Sequence, residues 1–286
     1  MKLQHIAAAA LALTAFGSAN AAIATGGNGS LVMIAYDKAG GTTTAGVFDL
    51  GLTLDDLIGA AGTGTTGPTA TSLAGLGQGL KWDFINNTIT VGSTVTSFGG
   101  TNNWTAAWNT LLANSDAADL SFVVTAFDTV GFGAQVRSLV TGKPNAPQTF
   151  TATQAVNLTA VAGGKANDIF TPIANKGTIA SAANGAYTFT AADGATTRAN
   201  GYAMAGDGFA NEWRTANQLQ GETNASNFTS LYIVDGAGKK FELEGTLSLS
   251  AANGTLTLAV PEPTTYALMV AGLAVVGAAA RRRRAA

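Results

Sequence analysis

The sequence predicts a mainly β protein, a β-sandwich or jelly-roll-like domain with one or two short peripheral helices. Ten or so short runs of β-branched, aromatic and other apolar residues recur along the chain, and turn-forming residues separate them. Charged residues make up only 11% of the chain, whereas Gly, Ala, Thr, Ser and Asn dominate. Helical spacing of apolar residues is confined to a few segments, and no repeat of fixed period occurs. Together these observations favour two packed sheets.

The first predicted hairpin consists of residues 31–36 and 45–50, which flank a Gly-containing turn. A short helix over residues 52–60 follows, because Thr53 can cap its N-terminus. An acidic pair beside this cap suits the positive end of the helix dipole; it consists of Asp55 and Asp56.

A second hairpin is predicted from residues 80–85 and 88–95, which flank Asn86-Asn87. The clearest helix follows at residues 103–114, where four large apolar residues fall on one face. This spacing predicts core packing for the helix face formed by Trp104, Trp108, Leu111 and Leu112.

The rest of the chain continues the β pattern. Asn253-Gly254 is a strong hairpin turn before the last strand. A second peripheral helix over residues 207–219 is an open alternative, and residues 141–148 are the one internal boundary that the composition suggests. The remaining predicted strands are residues 120–127, 131–140, 187–190, 228–234, 240–250 and 255–260.

The N-terminus has the pattern of a secretory signal peptide over residues 1–21. Met1 and Lys2 form a minimal positive region, residues 6–16 are apolar, and Ala19 and Ala21 form a small-x-small cleavage site. The alternative is a retained N-terminal anchor. Cleavage would leave residues 22–260 as an extracytoplasmic β-rich domain.

The C-terminal segment, residues 261–286, combines three features in order. It begins with Pro261-Glu262-Pro263, continues with an apolar segment over residues 264–280, and then carries a basic block, Arg281–Arg284. We expect the apolar segment to be a transmembrane helix at the lower end of the spanning length. The basic block belongs on the cytoplasmic side, because positive charges stay inside. The alternative is a buried core helix with a solvated basic end.

These C-terminal features, together with the signal peptide, resemble the PEP-CTERM sorting signal of Gram-negative bacteria. The resemblance covers about 26 residues and implies recognition by an exosortase, a membrane-embedded transpeptidase-like enzyme that cuts near Pro-Glu-Pro. It further implies association with exopolysaccharide, biofilm matrix and the cell surface. It implies no fold or activity for residues 22–260, because the bodies of such proteins vary widely.

The composition excludes several classes of function. The chain has no cysteine, and its one histidine, His5, lies in the predicted signal peptide. The body therefore lacks the residues for Ser-His-Asp or Cys-His catalysis and for His-based zinc sites. Residues 22–260 hold ten Lys and Arg against sixteen Asp and Glu, a net charge of −6, which disfavours a nucleic-acid partner.

Carboxylates are the remaining candidates for chemistry. Asp55-Asp56 and the pair Glu242 and Glu244 could serve a glycosidase, although a helix start and a solvated strand face explain them as well. No cofactor is expected. Ca²⁺ stays an alternative because it binds carboxylate and carbonyl oxygens, although no Asp-x-Asp-x-Asp-Gly loop occurs. The aspartates near predicted turns are Asp37, Asp49, Asp128, Asp193, Asp207 and Asp235.

Tryptophans can stack on sugars. Trp104 and Trp108 are expected in the core, whereas Trp82 and Trp213 are the candidates for glycan contacts. The sequence therefore favours a non-catalytic exported surface or matrix protein. The alternatives are a carbohydrate-binding surface module and a secreted carboxylate-dependent glycoside hydrolase.

Overall fold

The structure is a computed structural model. It describes residues 29–37, 44–58, 79–97, 103–118, 120–128, 137–142, 185–190, 223–224, 228–234, 240–243 and 245–260. The helices are α1 (Leu54–Ile58) and α2 (Asn103–Ala113). The strands are β1 (Ser30–Asp37), β2 (Ala45–Thr53), β3 (Leu80–Asp83), β4 (Thr88–Val91), β5 (Thr94–Ser97), β6 (Leu120–Asp128), β7 (Arg137–Gly142), β8 (Ala186–Phe189), β9 (Thr223–Asn224), β10 (Phe228–Val234), β11 (Lys240–Glu242), β12 (Thr246–Ser250) and β13 (Thr255–Ala259).

The described strands form two antiparallel sheets, which confirms the mainly β prediction. Sheet A has the order β8-β2-β1-β6-β7-β10, with β9 also paired to β6 and β11 to β10. Sheet B has the order β5-β4-β3-β13-β12. Strand β10 joins the sheets, because Phe228 and Thr229 pair with β12 whereas the residues from Ser230 to Val234 pair with β7.

The chain passes between the sheets at an interruption after β11. The predicted strand over residues 240–250 is wrong in this respect, because it divides into β11 and β12. Gly245 has a φ of 142° there, a conformation that glycine adopts readily. Leu243 stays attached, since its N–H donates to the carbonyl of Leu231 at 2.8 Å. A glycine at such an interruption allows the chain to turn a corner between sheets.

One hydrophobic core draws on both sheets and on α2. In sheet B the burial alternates strictly, so that Leu80 and Trp82 are buried while Lys81 between them is exposed. In sheet A, by contrast, consecutive residues of β1 are buried on both faces of the sheet. This departs from a sandwich with one solvated face per sheet and follows from the continuous apolar sequence of β1.

Helix α1 confirms the predicted cap. The Thr53 N–H donates to Asp56 Oδ2 at 2.8 Å, and the Asp56 N–H donates to Thr53 Oγ1 at 3.4 Å. This reciprocal arrangement is a capping box in which aspartate replaces the usual glutamate. Helix α2 confirms the predicted apolar face, since Trp104, Trp108 and Leu111 are fully buried.

The predicted strand over residues 88–95 is wrong in its extent. It forms two strands, β4 and β5, joined by a tight turn in which Gly92 has a φ of 60°. The turn reverses the chain because glycine tolerates positive φ. Strand β5 adds a further strand to sheet B.

Within the described ranges, no helix has both the length and the apolar character needed to cross a membrane. Several predicted elements lie outside those ranges and stay predictions. They are the signal peptide over 1–21, the strand residues 131–136, the helix over 207–219 and the transmembrane helix over 264–280.

Gly254 generates a prediction about the loop between β12 and β13. Its φ is +59°, and an added Cβ would lie 2.7 Å from Ile85 Cγ1 and 3.0 Å from Trp108 Nε1. We expect Gly254→Ala to lower the free energy of unfolding by about 1–3 kcal/mol, since both strain and overpacking oppose the side chain. Urea denaturation measures this change. Ser93→Ala in the exposed β4–β5 turn is the control; equal midpoints for the two variants would contradict the prediction.

Candidate functional site

The tryptophans of the described residues lie in the core. Trp82 in β3 is fully buried, and its indole N–H donates to the carbonyl of Leu50 at 2.9 Å. Trp104 is equally buried and donates to the carbonyl of Asp49 at 3.0 Å. The expectation that Trp82 contacts glycans at the surface is therefore wrong, because the inward positions of β3 place the side chain against β2. Trp213 lies outside the described residues.

Aromatic rings surround these indoles and fix their positions. Phe84 stacks on Trp108 with ring centroids 5.3 Å apart and meets Trp104 edge-on at 5.4 Å. The ring centroids of Phe48 and Phe84 lie 4.7 Å apart. Such pairs contribute about 0.5–1.5 kcal/mol each beyond the burial of area. The cluster therefore stabilises the core and leaves no sugar-binding platform in it.

Most described carboxylates with placed side chains have local structural roles. Asp56 belongs to the capping box of α1. Asp83 Oδ1 accepts from the backbone N–H groups of Ile85 at 3.1 Å and Asn86 at 2.8 Å, which stabilises the β3–β4 turn. Asp116 Oδ1 accepts from the Ala118 N–H at 2.9 Å. These hydrogen bonds account for the presence of the three carboxylates without a catalytic role.

The predicted carboxylate pairs are not brought together as a described site. Asp55 lies in α1 beside Asp56, and Glu242 lies in β11, whereas Glu244 falls outside the described residues. Asp37 and Asp128 are the last residues of β1 and β6. Across the described ranges, no group of three or more His, Cys, Asp and Glu side chains is placed to hold a metal ion. Three further aspartates from the sequence prediction lie outside the described residues: Asp193, Asp207 and Asp235.

Asp49 is deeply buried, with 4% of its surface exposed. Its Oδ1 accepts from the Gly51 N–H at 3.0 Å, at a bulge in β2 where Gly51 has a φ of 71°. Burial raises the pKa of Asp49 from 3.8 to about 7, while the hydrogen bond from Gly51 acts in the opposite direction. The carboxyl group thus supports the bulge, whereas the sequence indicated only a position near a turn and an alternative Ca²⁺ ligand.

The outward face of sheet B is rich in hydroxyl groups. We call this surface the hydroxyl face and define it by the half-buried or exposed side chains that alternate with the core residues. One cross-strand row contains Ser248, Thr257, Lys81, Thr90 and Val95 in adjacent strands. Neighbouring strands lie about 4.8 Å apart, so the row presents regularly spaced polar groups. The other members are Asp83, Thr88, Ser97 and Ser250.

The C-terminal end of β13 leads directly into the predicted sorting signal. Leu258 is buried and pairs with Leu247 of β12 and with Leu80 of β3, so that β13 has a neighbour on each side. Ala259 pairs with Thr246, and Val260 packs against the core as a half-buried residue. Only Val260 stands between the last residue of the strand and Pro261.

The other predicted site residues lie outside the described ranges. For the signal-peptide cleavage site these are Ala19 and Ala21. For the sorting signal they are Pro261, Glu262, Pro263, Arg281, Arg282, Arg283 and Arg284.

Asp49 yields a prediction with a definite sign. Its pKa is raised in the folded state, so the folded protein holds a proton that the unfolded chain has lost. This contribution to stability is greatest below about pH 4, declines as the pH rises to about 7, and stays lost above that pH. Asp49→Asn keeps the acceptor for Gly51 but does not titrate. We expect the variant to lack the decline and to exceed the wild type at pH 8 by on the order of 2–4 kcal/mol. Chemical denaturation from pH 4 to 8 measures the free energy of unfolding of both proteins. Parallel curves of this free energy against pH would contradict the prediction.

Comparison with known proteins bears on the C-terminal segment. A family model described as the PEP-CTERM protein-sorting motif matches residues 259–284, less than a tenth of the chain. No curated protein matches the chain, and no solved structure does. The match confirms the resemblance drawn from Pro-Glu-Pro, the apolar segment and the arginine block. The chain therefore carries a PEP-CTERM protein-sorting motif at its C-terminus.

Proposed function

We propose that this protein is a non-catalytic component of the cell surface or extracellular matrix, which an exosortase sorts and processes. The observation that carries the proposal is the PEP-CTERM motif at residues 259–284, contiguous with the folded β body. The body is exported across the inner membrane, held there as an anchored precursor, and then released to the surface or the matrix.

The physical chemistry of the two termini supports this route. The apolar segment over 264–280 partitions into the bilayer, and Arg281–Arg284 resists passage because each guanidinium costs about 2.5–3.5 kcal/mol at the membrane centre. The leader over residues 1–21, with Ala19 and Ala21 before the cut, directs export. The inner membrane is thus a transient partner and the exosortase the processing partner.

The composition of the body supports a structural role. Residues 22–260 contain neither histidine nor cysteine, and the placed carboxylates Asp56, Asp83 and Asp116 serve caps and turns. We include no nucleic acid among the partners, because the body has a net charge of −6. The proposal requires no cofactor. Exopolysaccharide is the matrix partner that the sorting route suggests.

A second candidate function, binding of carbohydrate, is favoured by the hydroxyl face. Its Thr and Ser side chains both donate and accept hydrogen bonds, as sugar hydroxyls do. Lys81, in the middle strand of the face, adds charge-assisted bonds. The regular strand spacing suits an extended polymer better than a single sugar, because the row of paired residues crosses all five strands of sheet B.

The sorting proposal predicts the fate of two variants. Replacing Arg281–Arg284 by Gln removes the barrier to translocation, and replacing Pro261-Glu262-Pro263 by three alanines removes the cleavage motif. We expect each variant to accumulate as unprocessed precursor on immunoblots of cell fractions. Lys38→Gln, a charge change far from the motif in sequence, is the control. Normal maturation of both motif variants would overturn the proposal.

The carbohydrate proposal makes a separate prediction. The double substitution Thr90→Val and Thr257→Val preserves shape but removes two central hydroxyl groups from the hydroxyl face. We expect retention on matrix polysaccharide, measured by affinity electrophoresis, to fall at least fivefold. Thr110→Val, on the exposed side of α2, is the matched control. Unchanged retention of the double variant, with loss of retention in Trp213→Ala, would place binding elsewhere and contradict the role of this face.

A further inference from the structure

We infer that the pairing of β13 in sheet B controls the processing of the anchored precursor. The residues that precede Pro261 are held in the folded sheet, and cleavage proceeds when the end of β13 separates from its neighbours. The inference rests on the proposed sorting function and adds a dependence of processing on local folding.

The sorting motif overlaps the folded body at the end of β13. The family match begins at Ala259, which is also the last residue of β13. Ala259 pairs with Thr246, and the preceding Leu258 is buried between β12 and β3. Val260 packs on the hydrophobic core. The N-terminal side of the motif therefore belongs to the folded body.

Only three residues, Pro261-Glu262-Pro263, separate Val260 from the apolar segment over residues 264–280. An extended chain spans at most about 3.6 Å per residue, so Pro263 lies within about 11 Å of Val260. The apolar segment begins at the next residue, Thr264. A membrane-embedded enzyme must therefore reach a short bridge between the bilayer and a body with a radius of gyration of about 18 Å.

The main-chain groups at the end of β13 are already used for pairing in sheet B. Extended peptides are commonly bound through main-chain hydrogen bonds to a strand of the recipient protein. The main-chain groups of Leu258 and Ala259 cannot pair within sheet B and bind an enzyme at the same time. Pro261 has no N–H to contribute. Sheet B and the processing enzyme consequently compete for the same residues.

Local opening resolves this competition. Strand ends open with a small free energy compared with global unfolding. When opening and closing are faster than cleavage, the rate follows the population of the open form. In the cleavage step, one peptide bond near Pro261–Pro263 breaks. The acyl group is transferred to water or to a hydroxyl or amine acceptor. The proton that the acceptor loses passes to the departing nitrogen, which becomes the new amino terminus of the C-terminal fragment.

A cross-strand disulfide tests the inference by locking the end of β13. Thr246 and Ala259 are a directly paired, exposed couple, and the chain has no other cysteine to compete. Opposite residues in antiparallel strands have Cβ atoms about 4.5–5.5 Å apart, close to the disulfide range. We expect Thr246→Cys with Ala259→Cys to slow conversion of precursor to mature protein at least fivefold in pulse–chase immunoblots of the full chain. Thr246→Cys alone, which lies outside the motif and cannot form the disulfide, should convert at the wild-type rate.

An insertion tests the inference in the opposite direction and leaves the body unchanged. Eight Gly and Ser residues between Val260 and Pro261 give the enzyme access without opening β13, so conversion should accelerate at least threefold. Equal conversion rates for the insertion variant and the wild type would overturn the inference, even if the cysteine pair fails to form. Failure of the sorting function itself has a different signature, namely an unconverted wild-type precursor or full conversion of the Arg281–Arg284 variant.

Discussion

Two consecutive carbonyl groups of β2 join the layers of this protein. The carbonyl of Asp49 accepts from Trp104 of α2, and the carbonyl of Leu50 accepts from Trp82 of β3. Helix α2 and strand β3 are thus both bound to one short stretch of the β2 backbone inside the core. A buried indole N–H without a partner would cost about 1–3 kcal/mol, so these bonds orient both rings uniquely. The same stretch contains the bulge that Asp49 supports through Gly51.

The order of strands in sheet B connects this core to function. Strand β13 lies between β3, which contributes Trp82, and β12, which leads back to the strand shared by both sheets. The chain therefore completes its core with the last residues before the sorting motif. A body built in this way can stay intact when the tail is removed, because β13 ends at Ala259, before Pro261.

Local patterns in the sequence predicted what depends on neighbours along the chain. The i, i+4 and i+7 spacing of Trp104, Trp108 and Leu111 indicated the buried helix face, and Thr53 indicated a cap that the structure contains. The alternation of Leu80 and Trp82 with Lys81 also contained a signal for burial, which a glycan role for Trp82 overlooked. The tail motif could be predicted from residue identities alone.

Features that depend on partners across the sheets could not be predicted in this way. Gly92-Ser93 between two alternating runs was a local hairpin signal that the predicted strand over residues 88–95 overlooked, whereas the break at Gly245 depends on which sheet each side pairs with. The position of β13 between β3 and β12 requires knowledge of the pairing, as does the burial of Asp49. The overlap of the sorting motif with the sheet at Ala259 therefore became visible only in the fold.

The central claim is that the folded body is exported and then separated from its C-terminal anchor. The intact mass of the protein recovered from the cell surface or the medium, with and without the exosortase, tests it most directly. The account predicts a species that lacks residues 1–21 and the arginine block when the enzyme is present, and a membrane-bound precursor that retains the block when it is absent. A full-length chain of 28.6 kDa dissolved in the cytosol under both conditions would contradict the account.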